Sequence, residues 1–173
     1  MMEAGPRADR ELATLAALPR GRRLLGFDLG TKTIGLALSD VGRTLATPLE
    51  TIARTKFTRD VERIAAIVAR YDVGGLVFGL PLNMDGTEGP RAQATHGFIR
   101  NLGRIVPLPV ALWDERLSTA AVTRALIAAD ASRAKRATVV DRMAAAYILQ
   151  GALDRMRVVA SYEAEDDEPG PIL

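Results

Sequence analysis

The chain has 173 residues, 48% of them hydrophobic and 25% charged, a size and composition that fit one globular domain with short tails and exclude wholesale disorder. No apolar run approaches the roughly 18 residues of a membrane span. Cysteine is absent and His96 is the single histidine; this excludes disulfides, iron–sulfur clusters and thiolate zinc, and leaves a histidine-based metal site or a Ser-His-Asp triad almost nothing to work with. Any metal must be hard and oxygen-ligated.

The formal charge of +2 conceals an asymmetry. Residues 161–173 carry five acids (Glu163, Glu165, Asp166, Asp167, Glu168) and no cation. Without them 23 basic residues face 16 acidic ones, a net +7, and 20 of the 23 are arginine. Arginine suits bidentate phosphate contacts, so the body of the protein is compatible with a polyanionic partner as well as with a merely solvated basic surface.

In chain order, residues 1–22 read as a flexible extension with a short helix over 11–18 and no apolar core of a secretory signal. Residues 24–29 form the first strand, the turn Gly30-Thr31-Lys32-Thr33 follows, and 34–39 form the second. A third strand covers 43–52, where Pro48 requires an edge or a bulge. Val61, Ile64, Ala65 and Val68 recur at helical spacing over 60–71. The run Gly-Leu-Val-Phe-Gly at 75–79 reads as a buried parallel strand. A helix over 90–104 leads to a fifth strand at 108–113, and helices at 118–129 and 139–157 close the domain. The basic stretch Ser132-Arg133-Ala134-Lys135-Arg136 lies between those last two. An acidic tail over 159–173, ending in Pro and Gly, is expected to lack fixed structure. The fold class is therefore α/β. Three antiparallel and two parallel strands make a mixed five-stranded sheet over 23–158, with helices on both faces.

Chemistry in such sheets gathers where strands end, and three acidic positions fall there. Asp28 stands near the end of the first strand, between Phe27 and Leu29, where an aspartate is disfavoured. Asp114 and Glu115 follow Trp113. Asp141, with Thr138, has the spacing of a helix capping box, so taken alone it reads as structural. Brought together, three carboxylates repel unless a divalent cation neutralises them. Mg²⁺ or Mn²⁺ in such a cluster supports in-line phosphodiester hydrolysis.

Four motifs appear in order: Phe27-Asp28-Leu29-Gly30-Thr31-Lys32; Gly79-Leu80-Pro81-Leu82; Trp113 to Thr119 (WDERLST); and Asp141-x-x-Ala144-Ala145-x-x-Ile148-Leu149-Gln150. From about Leu24 to Leu153 the chain resembles the YqgF family, Holliday-junction-resolvase-like proteins also described as nucleases of the small-subunit rRNA precursor. The resemblance implies a ribonuclease-H-like fold and a metal-dependent hydrolase. It also implies Asp28, Glu115 and Asp141 as catalytic acids and metal ligands, and cytoplasmic processing of the 5′ end of the 16S rRNA precursor. The sequence departs from the resolvase pattern at the end of the fourth strand, which has no acid before Asp85. Glu115 must then reach across from the fifth strand, with Asp85 in reserve and the turn role its alternative.

Lys32, Arg91, Arg116, Arg133, Lys135 and Arg136 are the candidate phosphate contacts. Arg116 has the alternative of pairing with Asp114, and Ser118 or Thr119 that of capping a helix. The expected partner is nucleic acid, structured RNA before branched DNA, bound by a monomer or a homodimer and with no membrane involved. Three alternatives stay open: a DNA junction endonuclease, a non-catalytic nucleic-acid-binding assembly factor of the same fold, and ATP-dependent phosphotransfer. The last is suggested by the likeness of Asp-x-Gly-Thr to the first phosphate motif of actin-like sugar kinases, for which the chain has room for only half.

Overall fold

The computed structural model describes residues 5–117 and 133–166. Its elements are helix α1 (Pro6–Ala16), strands β1 (Arg23–Leu29), β2 (Thr33–Ser39) and β3 (Ala46–Ala53), helix α2 (Phe57–Arg70), strand β4 (Val73–Leu80), helix α3 (Pro90–Leu102), strand β5 (Val110–Asp114), a 3₁₀ turn (Glu115–Leu117) and helix α4 (Arg133–Asp166). The helix expected over 118–129, with Ser118 and Thr119, lies outside the described residues.

The strands form one sheet in the order β3-β2-β1-β4-β5. The β1–β2 and β2–β3 pairs are antiparallel, and β4 runs parallel to both β1 and β5. This is the mixed sheet expected from the change of pattern after Lys56, since hairpins yield antiparallel pairs and helical crossovers parallel ones. Pro48 satisfies both of its constraints. It lies on edge strand β3, beside the register shift between Leu36 and Ala37, where no ladder donor is missed.

Alternation along β1 sends successive side chains to opposite faces. Leu25, Phe27 and Leu29 pack with Val61, Ile64 and Ile67 of α2 and Phe98 and Leu102 of α3; Phe27 stacks on Phe78 of β4 at a 4.2 Å centroid distance. Leu24 faces the other side, with Val77, Ala111 and Trp113, under Ala145, Ile148, Leu149 and Leu153 of α4. Trp113 is a buried core residue.

Both ends differ from the expected tails. Leu12 and Leu15 of α1 are fully buried within the α4-side cluster. Glu11 accepts the Leu112 amide of edge strand β5 at 2.9 Å, and Asp9 pairs with Arg155 of α4 at 2.8 Å. Two leucines at i,i+3 in an Ala- and Arg-rich stretch carry little periodicity, which is why the sequence reads there as a loose extension. At the other end α4 continues to Asp166, so the first part of the acidic tail is helical. It also starts at Arg133, so Arg133, Lys135 and Arg136 belong to its opening turn and not to a loop. No described helix is long and apolar enough to cross a membrane.

Candidate active site at the sheet rim

Asp28 is the penultimate residue of β1 and only 5% exposed. In the antiparallel ladder it stands opposite Gly35 of β2. In the parallel ladder Phe27 aligns with Phe78, so the next residue of β4, Gly79, flanks Asp28 on its other side. The aspartate thus sits between two positions without side chains, on the face covered by α4. Glycine inside a strand marks the close approach of another group, and each of these two has one.

Over Gly35 lies the backbone of α4. A Cβ there would stand 2.1 Å from the Asp141 carbonyl oxygen and 3.0 Å from the Arg142 nitrogen. Over Gly79 lies Glu115, whose Oε1 would be 2.8 Å and Cγ 3.1 Å from such a Cβ. The vacancy at the end of β4 is therefore filled from two sides, by Glu115 and by Ile148 of α4, whose Cδ1 would be 2.6 Å from such a Cβ. Glu115 does not need to reach past a β4 side chain, because there is none, and its carboxylate comes to rest above the strand next to Asp28.

Asp141 approaches from the other side. It sits in the third turn of α4, eight residues after Arg133, so the capping box suggested by Thr138 does not define a helix start. The Thr33 hydroxyl of β2 donates instead to its Oδ2. The three acids named from the sequence thus gather around one end of β1, carried by β1, the turn after β5 and α4. Among the described residues, however, no group of three or more His, Asp or Glu is disposed to hold a metal ion. The donor set is all oxygen and fits a hard cation, but the Asp141 carboxylate is turned to Thr33.

The alternative acids serve local structure. Both Asp114 oxygens accept from Arg116, at 2.7 Å to Nη2 and 3.0 Å to Nε, and Oδ1 also takes the Arg116 amide. Arg116 Nη1 reaches the Asn83 and Met84 carbonyls, so this residue anchors the β4–α3 loop. The bond to Asp114 holds its guanidinium above the usual arginine range. Asp85 accepts the Thr87 hydroxyl and amide, which hold its carboxyl below the usual range, in a turn with Gly86 at φ +85°. Lys32 and Arg91 are exposed at the rim. His96, to which the sequence assigns no role, pairs with Glu88 at 3.0 Å. Gln150 of the fourth motif bridges α4 to the start of β3, donating to Thr44 O and accepting from the Ala46 amide. The sequence reading missed Gly35 and Thr33; strand glycines are the signal that could have found the first.

An aspartate on the central strand of a β3-β2-β1-β4-β5 sheet, joined by acids from the end of β5 and from the last helix, defines a ribonuclease-H-like domain of the resolvase kind. The likeness to solved structures is one of fold. A Thermus thermophilus RuvC in complex with Holliday junction substrate superposes with a TM-score of 0.50 at 15% identity, over 79% of this chain and 96% of that one. The yeast mitochondrial Holliday junction resolvase Ydc2 gives 0.51 at 12% identity, over 95% and 92%.

The particular family follows from sequence. The profile described as RuvX, Holliday junction resolvase, matches residues 22–155, and this chain belongs to that family. The expected YqgF membership is borne out, and the enzyme class is that of a nuclease, a hydrolase. A protein of Beijerinckia indica is 67% identical over 135 residues, 78% of this chain and 82% of its own length. One of Paramagnetospirillum magneticum is 65% identical over 140 residues, 81% and 90%. Both bear the name "Putative pre-16S rRNA nuclease".

Proposed function

We propose that this chain is a divalent-metal-dependent nuclease that trims the 5′ end of the 16S rRNA precursor in the cytoplasm. The observation that carries the reading is the buried Asp28 with a glycine on either side, one covered by the backbone of Asp141 and the other by the carboxylate of Glu115 beside Ile148. The names of the relatives support the substrate.

Carboxylates packed on one side of a rim repel each other. Asp28 and Glu115 would hold a hard divalent cation such as Mg²⁺ or Mn²⁺, and Asp141, now bonded to Thr33, would be the third oxygen donor. When bound, the ion supplies an activated water and stabilises the leaving oxygen. The chain's own contribution is positional. β1 fixes Asp28 through ladders on both sides, and Gly79 lets Glu115 lie flat on β4. Lys32 and Arg91, exposed on the same rim, grip backbone phosphates, and Arg133, Lys135 and Arg136 extend that grip along the start of the helix that carries Asp141.

Purified protein with Mn²⁺ or Mg²⁺ is expected to cut a labelled RNA bearing the precursor extension, and Asp28→Asn to bind that RNA without cutting it. Equal cutting by Asp28→Asn and the parent would remove the carboxylate site. The description of the family favours a second substrate, a four-way DNA junction; preferential cutting of a junction in the same assay would replace RNA by DNA. Binding by the parent without cutting of either would make the protein an assembly factor.

A further inference from the structure

On the face of the sheet away from the acids, the rim carries a second polar feature. Arg54, the first residue after β3, returns toward the β1–β2 turn, where its Nη1 donates to the Gly30 carbonyl at 2.6 Å. Its guanidinium carbon lies 5.6 Å from the centroid of the Phe98 ring. Two such contacts fix a side chain that otherwise has many rotamers. Beside it is a recess of about 50 Å³ lined by Gly30, Thr31, Arg54, Arg91 and Thr95 among others. Such a volume is room for a group the size of a few waters.

No carboxylate lines this recess, and among the described residues neither arginine makes an ion pair. Both arginines line the recess, and two like charges brought to one small space repel each other unless an anion separates them. Arg54 uses one of its five N–H donors on Gly30, and the guanidinium fork matches phosphate oxygens. Arg91 is the second residue of α3, where the helix dipole adds to its charge. The Thr95 hydroxyl donates to the Arg91 carbonyl at 3.0 Å, and the arginines are the charged donors at the recess. Gly30 stands two residues, about 7 Å, beyond Asp28 along β1.

We propose that Arg54 and Arg91 together seat one backbone phosphate of the RNA strand as it crosses the Gly30–Thr33 turn, next to the phosphate presented to the acids. The seat rests on the nuclease reading above. It adds a residue, Arg54, whose position in sequence carries no mark of substrate contact. Its work is to hold the strand in register over the rim, not to take part in bond breaking.

The test is the salt dependence of binding to a labelled single-stranded RNA, in the Asp28→Asn background and without divalent ions. For single strands the slope of log K against log salt changes by about 0.7 for each phosphate contact. Arg91→Gln and Arg54→Gln are each expected to flatten the slope by up to that amount, and the double variant by less than the sum, because both side chains serve one phosphate. Arg63→Gln, which removes an exposed α2 charge paired with Glu50 of β3, is expected to leave the slope unchanged. If Arg54→Gln does not fold for want of its bond to Gly30, Arg54→Lys, which keeps a donor for Gly30 without the guanidinium fork, takes its place in the cycle with Arg91→Gln. Unchanged slopes in a parent that binds RNA, or fully additive losses, would overturn the seat and leave the nuclease reading standing. A parent that binds no RNA at any salt would overturn both.

Discussion

The contact between α4 and Gly35 offers the sharpest test of how the site is assembled. Gly35→Ala places a methyl group 2.1 Å from the Asp141 carbonyl oxygen and 2.4 Å from its carbon. These are backbone atoms of a helix and cannot swing aside as a side-chain tip can. To restore a separation of 3.0 Å, below which real Cβ contacts essentially never fall, the carbonyl must retreat by about 0.9 Å. The helix then carries Asp141 away from Asp28 by a similar amount. A misplacement of about 1 Å costs on the order of 10²-fold in rate, while overpacking of this kind costs about 1–3 kcal/mol, or about 2–12 °C in melting temperature for a chain of this size. The assay is single-turnover cleavage beside thermal melting, with Gly5→Ala as the control, since nothing stands within 4 Å of that position. Gly35→Ala is expected to fold, to bind RNA as the parent does and to cut about a hundredfold more slowly. Cleavage and melting equal to the parent's would refute the placement of Asp141 over β2.

Thr33→Val removes the hydroxyl that holds the Asp141 carboxylate; it is expected to change kcat with little effect on KM, and Thr33→Ser to restore the parental value. Arg43, at φ +54°, donates to the carbonyls of Ala16, Leu18, Pro19 and Arg22 and so closes the end of α1. Arg43→Ala is expected to lose about 1.5–3 kcal/mol, seen as a lower melting temperature and faster proteolysis before β1. Asp40 accepts the Leu45 and Thr44 amides and the Thr44 hydroxyl, and these bonds, the Leu45 amide foremost, hold its carboxyl below the usual range. Its stabilising contribution is present above the unfolded value of about 3.9 and is lost as pH falls through the lower folded one. The stability gap between the parent and Asp40→Asn should therefore be constant near neutrality and close in acid; a gap that persists unchanged into strong acid would contradict this.

Much of the architecture was legible in the chain because it rests on local pattern. Alternation and tight turns before Lys56, then helical spacing interleaved with short apolar runs, lead to a mixed sheet with no knowledge of the partners. The interpretable part of the site was Asp28, an acid in an otherwise apolar strand. The ends of the domain were not legible, because what orders α1 is its landing place on β5 and α4, and two buried leucines announce nothing of that. Arg116 was left with two roles by its sequence, and the structure shows the pairing with Asp114 and a hold on the β4–α3 loop.

The sequence by itself determined the kinds of atoms available: carboxylates and guanidiniums without thiols, and with one imidazole, hence donors suited to hard ions and to phosphates. Residue type fixes donor chemistry wherever the chain goes. Only the tertiary structure decided which elements close in around Asp28. Glu115 comes to rest on a strand that is not its own because Gly79 leaves the space, and Asp141 reaches the rim because Gly35 lets a helix backbone settle onto the sheet. Such close approach depends on what is missing from a neighbouring strand, and the spacing of residues along a single chain does not record it.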